Sequence, residues 1–198
     1  MKKAVKNHLV LVALLVTMVN YAANITTLNK DDDSKKTVLT LENVKEGQQL
    51  LIKDYNQIIL YKENISKSGD YKKGFDLTAL PDGKYFFELN KDTVIEVIPF
   101  SVLNNVVDFK KSEKSKIFKP HVDAKNNTVY VTALSLNASP VTISIYYDNA
   151  GSKEVIYNEK IKDTMDIQKA FTLDSTKKGT YLFQFETQNR TFTKYINL

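Results

Sequence analysis

The sequence predicts an all-β protein: two tandem antiparallel β-sandwich domains after a signal peptide. Three observations carry the prediction. First, Leu60–Glu88 realign without gaps on Ile156–Gln184 at a constant offset of 96, the signature of two copies of one module. Tyr61 falls on Tyr157, Glu63 on Glu159, Ile65 on Ile161, Phe75 on Phe171, Leu77 on Leu173, Gly83 on Gly179, Tyr85 on Tyr181 and Phe87 on Phe183. Second, short runs of β-branched and aromatic residues alternate with polar ones, with turn signals every 8 to 12 residues or so, which is the pattern of a sandwich. Third, helical periodicity is nearly absent: Met165–Ala170 offers one turn at most. A chain of 198 residues has room for two small domains.

The elements follow in order. Residues 1–23 read as the signal peptide: lysines in Met1–Lys6, an apolar run over Leu9–Val19, then Tyr21-Ala22-Ala23 for cleavage. That run is about half of the roughly 20 residues needed to span a bilayer. No cysteine follows it, so no lipoprotein anchor is expected. Residues 24–36 form a polar leader. Its Asp31-Asp32-Asp33 has no glycine or distal glutamate at calcium-ligand spacing and reads as solvated. The first module is placed at 37–105. Val38, Leu39 and Leu41 start it, Leu50–Lys53 and Ile58–Lys62 flank a turn, and Phe75–Leu77 is brief. Tyr85, Phe87 and Leu89 point one way and Phe86 and Glu88 the other. Thr93–Val102 closes the module, with Pro99 suited to an edge or a bend. Residues 106–116, lysine-rich from Lys110, read as the linker. The second module is placed at 117–198, with strands at Val129–Val131, Val141–Tyr147, Val155–Ile161, Phe171–Leu173, Tyr181–Phe185 and Arg190–Asn197.

With no cysteine, these modules must be held by burial alone, unlike many exported domains. Phe118, Tyr130, Tyr147, Tyr157, Phe171, Tyr181, Phe183 and Phe185 are the large core candidates of the second module, each contributing about 2 kcal/mol if buried.

The most specific local pattern is Phe-x-Leu followed by Gly-x-Tyr-x-Phe, at Phe75 to Phe87 and again at Phe171 to Phe183. Pro81-Asp82-Gly83 reads as a turn in which glycine supplies positive φ. A tyrosine two residues past the glycine is where Ig-like sandwiches place a tyrosine corner, whose hydroxyl bonds to upstream backbone. Gly83, Tyr85, Gly179 and Tyr181 are therefore assigned structural roles, and the sandwiches are expected to be Ig-like.

Two resemblances add to this reading. Leu80-Pro81-Asp82-Gly83-Lys84-Tyr85, and Gly179-Thr180-Tyr181 followed by Thr191-Phe192-Thr193-Lys194, resemble the C-terminal sorting domain of type IX secretion cargo, over roughly Val141–Leu198. The resemblance implies an Ig-like domain that directs export across the outer membrane and can be cleaved off, with Lys194 in the sorting strand and the secretion machinery as partner. Asp92-Thr93-Val94, Asp163-Thr164-Met165 and Asp174-Ser175-Thr176 are similar to the O-glycosylation site of bacteria with that system, which would make Thr93, Thr164 and Ser175 acceptors. Turn and strand chemistry is the competing reading of the same residues.

Composition limits the function further. The chain carries 28 basic and 23 acidic residues. Lys2, Lys3 and Lys6 leave with the signal, so the basic excess falls to about two, too weak a bias to imply nucleic acid or anionic lipid. Without cysteine, and with His121 the one histidine beyond the signal, neither a zinc site nor a Cys-based nucleophile is expected. No Gly-x-Ser-x-Gly elbow or phosphate-cradling glycine loop appears. No cofactor, no metal and no catalytic residue is assigned. The expectation is a non-enzymatic exported protein, periplasmic, surface-bound or secreted, that serves a structural, adhesive or protein-contact role. The alternative is a carbohydrate-binding module using Tyr146, Phe86 or Tyr195.

Overall fold

The structure, a computed structural model, describes residues 25–30, 37–149 and 151–198. The expected signal peptide and Asp31-Asp32-Asp33 lie outside the described residues. The described strands run β1 (Ile25–Lys30), β2 (Thr37–Val44), β3 (Gln49–Asp54), β4 (Ile59–Asn64), β5 (Gly69–Phe75), β6 (Gly83–Asn90), β7 (Val94–Leu103), β8 (Val106–Phe109), β9 (Ser115–Phe118), β10 (His121–Lys125), β11 (Thr128–Leu134), β12 (Val141–Asn149), β13 (Ser152–Ile161), β14 (Asp166–Thr172), β15 (Thr180–Thr187) and β16 (Arg190–Asn197). Two single 3-10 turns, Leu77–Ala79 and Lys111–Glu113, are the helical content of these residues. The protein is all-β with Ig-like sandwich sheets, and the stretch around Met165–Ala170 is strand β14.

In the first half, the sheet β1-β2-β5 faces the sheet β4-β3-β6-β7-β8. In the second, β10-β11-β14 faces β13-β12-β15-β16. The strand order is therefore the same twice, through seven strands of each half. Every pairing is antiparallel, and the registers correspond. Ile52 lies between Tyr61 and Phe87, as Ile145 lies between Tyr157 and Phe183. Thr37 opposite Phe75 becomes Val129 opposite Phe171.

Alternation fills the space between each sheet pair. Leu39, Leu41 and Phe75 meet Leu50, Ile52, Phe87 and Phe100 in the first core. Val129, Val131 and Ile167 meet Ile143, Ile145, Phe183 and Phe185 in the second. An aromatic column recurs in both. Tyr61 meets Phe75 edge-on at 5.2 Å and Phe75 meets Phe87 at 5.4 Å; Tyr157 meets Phe171 at 4.9 Å and Phe171 meets Phe183 at 5.9 Å. Such edge-to-face pairs suit the ring quadrupoles and add about 1 kcal/mol each beyond area burial. The hairpin turns use residues that tolerate positive φ. Asn104-Asn105 and Gln188-Asn189 take φ of 50°, 61°, 48° and 57°, the two-residue arrangement that matches strand twist.

Several sequence expectations are corrected. Ile25–Lys30, expected within the polar leader, is β1 and pairs with β2. The stretch 106–116, expected as the linker, is largely sheet. β8 pairs with Phe100–Leu103, and β9 pairs with Val94–Val97 along the same edge of β7. Its lysines mislead because Phe109 and Ile117 between them carry the burial. Ile117 thus belongs to the first half's sheet, and the chain crosses to the second half through Lys119 and Pro120 alone. Phe118 ends β9 rather than opening the second core, and Tyr130 is exposed on the outer face of β11. Gly83 opens β6 without a left-handed φ, so the turn before it does not depend on glycine there.

Candidate functional site

The corner tyrosines are anchored alike. The Tyr85 hydroxyl donates to the Pro81 carbonyl at 2.6 Å, and the Tyr181 hydroxyl donates to the Lys177 carbonyl at 3.0 Å. Both rings are buried, and burial is the main cause that raises both phenol pKa values. The two motif glycines differ. A Cβ on Gly179 would stand 2.9 Å from the Asp148 carbonyl oxygen, with φ at +156°, whereas one on Gly83 would meet the Tyr85 ring at ordinary contact distance.

A second recurring constellation lies at the half-buried ends of the aromatic columns. Glu63 accepts hydrogen bonds from Tyr61, from Tyr71 at 2.8 Å and from Lys73 at 2.6 Å. Glu159 accepts from Tyr157 and pairs with Lys169 at 2.9 Å. The lysine is the leading cause that lowers each carboxyl pKa. Tyr157 is pushed up to about 12, first by burial and then by its bond to Glu159. Ile167 stands at the position of Tyr71, so the second carboxylate lacks the third donor. These clusters tie β4 to β5 and β13 to β14 across the open edge of each sandwich, which is structural work.

The site with no counterpart in the other half lies between the halves. Glu88 and Val97, opposite each other on β6 and β7, face away from the first core. Ile95, Val97 and Ile117 form a small apolar patch there, with Phe86 and, from the second half, Phe192 packed against it. Beside the patch Glu88 is only 1% exposed. It pairs with Lys53 at 2.8 Å and with the Arg190 guanidinium at the start of β16. A buried carboxylate persists only when paired and hydrogen-bonded, and here one cation comes from each half. Next to it opens a cleft of about 600 Å³. Its floor is the outer face of β3 and β6, with Leu51, Lys53, Glu88 and Asn90; its walls are the β15–β16 turn and the Lys119-Pro120 crossing. The volume lies within the roughly 300–1,000 Å³ usual for small-molecule sites. Sequence reasoning missed this site because its members are scattered from Leu51 to Thr193 and share no motif.

The remaining predicted residues are dispersed. Thr93 and Ser175 are exposed in turns, and Thr164 is half-buried, its hydroxyl donating to the Asp166 carbonyl at 3.2 Å. Asp174 caps its own turn, accepting from the Thr176 amide at 2.9 Å and hydroxyl at 2.7 Å. Lys194 is exposed on β16. His121 is exposed opposite Thr132. Of the surface aromatics, Phe86 is taken up by the patch between the halves. Tyr146 and Tyr195 lie on either side of Leu182, in register across β12, β15 and β16. Among the described residues, no helix is long and apolar enough to cross a membrane, and no three His, Cys, Asp or Glu side chains gather as metal ligands would.

No protein-family model and no curated protein matches the chain. Among solved structures, it is similar to a biofilm-associated protein's BSP domain, with 16% identity and a TM-score of 0.27 over 84% of this chain. The match spans 27% of that longer chain. It is also similar to the human OSCAR ligand-binding domain, with 9% identity and a TM-score of 0.25, over 82% of this chain and 89% of that one.

Proposed function

We propose that the chain is an exported, non-enzymatic protein that works by contact, offering the outer edges of two duplicated sandwiches to another surface protein. The observation that carries the reading is the pair of edge strands β4 and β13. Each is the last strand of its sheet, so among the described residues its outer row of N–H and C=O groups has no strand beside it. Each also carries exposed apolar side chains at equivalent repeat positions: Ile59 and Leu60 at 51% and 46%, Val155 and Ile156 at 56% and 42%. Soluble proteins ordinarily blunt such edges, and an extended partner segment adds to one through backbone hydrogen bonds, with side-chain pockets for specificity. The C-terminal half doubles as a type IX sorting domain in this reading, with Lys194 on the final strand and the Gly179–Tyr181 turn as its marks. Cell fractionation with mass spectrometry of both termini tests it. A chain lacking residues 1–23, found outside the cytoplasm with both halves present, is the expected result; loss of the C-terminal half during export would support sorting and leave β4 as the contact edge. A cytoplasmic chain that retains Met1 would overturn export. Leu60→Lys with Ile156→Lys should release a surface-retained protein into the medium.

A second reading, glycan contact, is favoured by the Tyr146–Leu182–Tyr195 row on the open sheet face. A glycan array probed with the parent and with Tyr195→Ala tests it: loss of a specific signal in the variant is expected.

A further inference from the structure

We propose that the cleft between the halves binds a hydroxylated carboxylate, either a free sugar acid or a uronate residue within a polysaccharide. The proposal is independent of the edge strands and of the Tyr146–Tyr195 face. Its first support is charge. Lys53, Lys119 and Arg190 line the cleft against Glu88 and Asp92, which leaves one cation in excess. Lys53 and Arg190 both lean on the single Glu88 carboxylate. Lys119 donates to the Lys91 carbonyl, and its burial lowers its pKa while Asp92 opposes that shift. An anion placed here offsets the cost of holding that ammonium away from water.

The second support is a set of polar atoms with no partner among the described residues. Five buried side-chain atoms among the described residues lack a hydrogen bond, and three of them belong to residues of this cleft: Arg190 Nε, Asn90 Oδ1 and Gln57 Oε1. Native interiors leave few such groups, so their concentration in one place points to a ligand that completes them. The set is one donor and two acceptors. A carboxylate accepts from Arg190 Nε, and hydroxyl groups donate to the two amide oxygens. Phe192 and Ile95 supply the apolar surface against which a sugar ring can rest. An amine would meet the excess cation and leave Arg190 Nε without an acceptor, and a purely apolar ligand would leave all three atoms unpaired.

The test is isothermal titration of the chain, from residue 24 onward, with three probes: galacturonate monomer, a galacturonate oligomer and a neutral galactose oligomer. Binding of the monomer assigns the site to free sugar acids, and binding of the oligomer alone assigns it to polysaccharide; both support the proposal. Asn90→Ala and Gln57→Ala should each weaken binding about 3- to 10-fold, the loss of one hydrogen bond. Arg190→Lys keeps a cation against Glu88 but removes the Nε donor, and should cost about 10-fold. Asn90→Asp, nearly the same shape with an added charge, should abolish binding of the acid, and a parent-like circular dichroism spectrum of that variant separates ligand loss from misfolding. Equal affinity for the neutral oligomer, no binding of either acid, binding untouched by the four variants, or binding lost in Tyr195→Ala would each overturn the proposal.

Discussion

Glu88 and Gln184 occupy the same place in the two sandwiches: both lie on the outer face of the sixth strand of a half, opposite Val97 and Thr193 respectively. Glu88 is sealed under the β15–β16 turn and holds two cations, whereas Gln184 lies on the surface, its amide donating to Glu186 at 2.8 Å. The inner faces stay largely apolar at corresponding positions and keep the same aromatic column, while the outer faces have diverged. A module's interior fixes its strand order, while its exterior is free to acquire a neighbour.

The comparison can be broken at several depths. The largest effect is expected at the outer face. Glu88→Ala leaves Lys53 and Arg190 without their shared carboxylate and should destabilise by about 3–5 kcal/mol. Gln184→Ala should stay within about 0.5 kcal/mol. Urea denaturation of both variants measures the gap, and equal losses would mean that the second half does not cover Glu88. Next come the motif glycines. Gly179→Ala drives a methyl group into the Asp148 carbonyl and should cost about 2 kcal/mol, as strained backbone does, while Gly83→Ala should change the melting temperature little. The corner hydroxyls follow: Tyr85→Phe and Tyr181→Phe each remove one phenol-to-carbonyl bond, for about 1 kcal/mol apiece. Similar losses would sharpen the equivalence of the halves, and a loss in one alone would break it.

The smallest effect is the pH dependence of the carboxylate clusters. Folding lowers the Glu63 and Glu159 pKa values, so their contribution is present above the unfolded carboxyl range and disappears as pH falls through the lowered values. Both are half-exposed, and solvent screening keeps the contribution small. Melting temperatures of the parent and Glu63→Gln should differ near pH 7 and converge only as pH falls through the lowered Glu63 value, beneath the ordinary carboxylate range near about 4. Glu159→Gln, without a counterpart of Tyr71, should show a smaller difference.

Much of the fold was legible in the sequence because local rules set it. The offset of 96 aligned Tyr61, Phe75 and Phe87 with Tyr157, Phe171 and Phe183, and alternation on β6 separated Tyr85, Phe87 and Leu89 from Phe86 and Glu88. What alternation cannot say is whether an outward face meets water or a second sandwich. Glu88 reads as a solvent residue by every local rule, and only tertiary contact buries it. The β9 strand failed for a related reason. Lys114 and Lys116 mark a polar stretch, yet one apolar side chain, Ile117, and the free edge of β7 are enough to hold it in place. The cleft was illegible altogether, since Gln57, Asn90, Lys119 and Arg190 belong to four separate turns and strand ends.

The two-residue crossing at Lys119 and Pro120 dictates where this gene can be divided. A cut near residue 110, where the lysines invite one, strands β9 on the wrong fragment and leaves the first sandwich with a raw border. A cut between Phe118 and His121 spares every ladder, and its price is that the first fragment carries Glu88 into solvent with Lys53 alone, without Arg190.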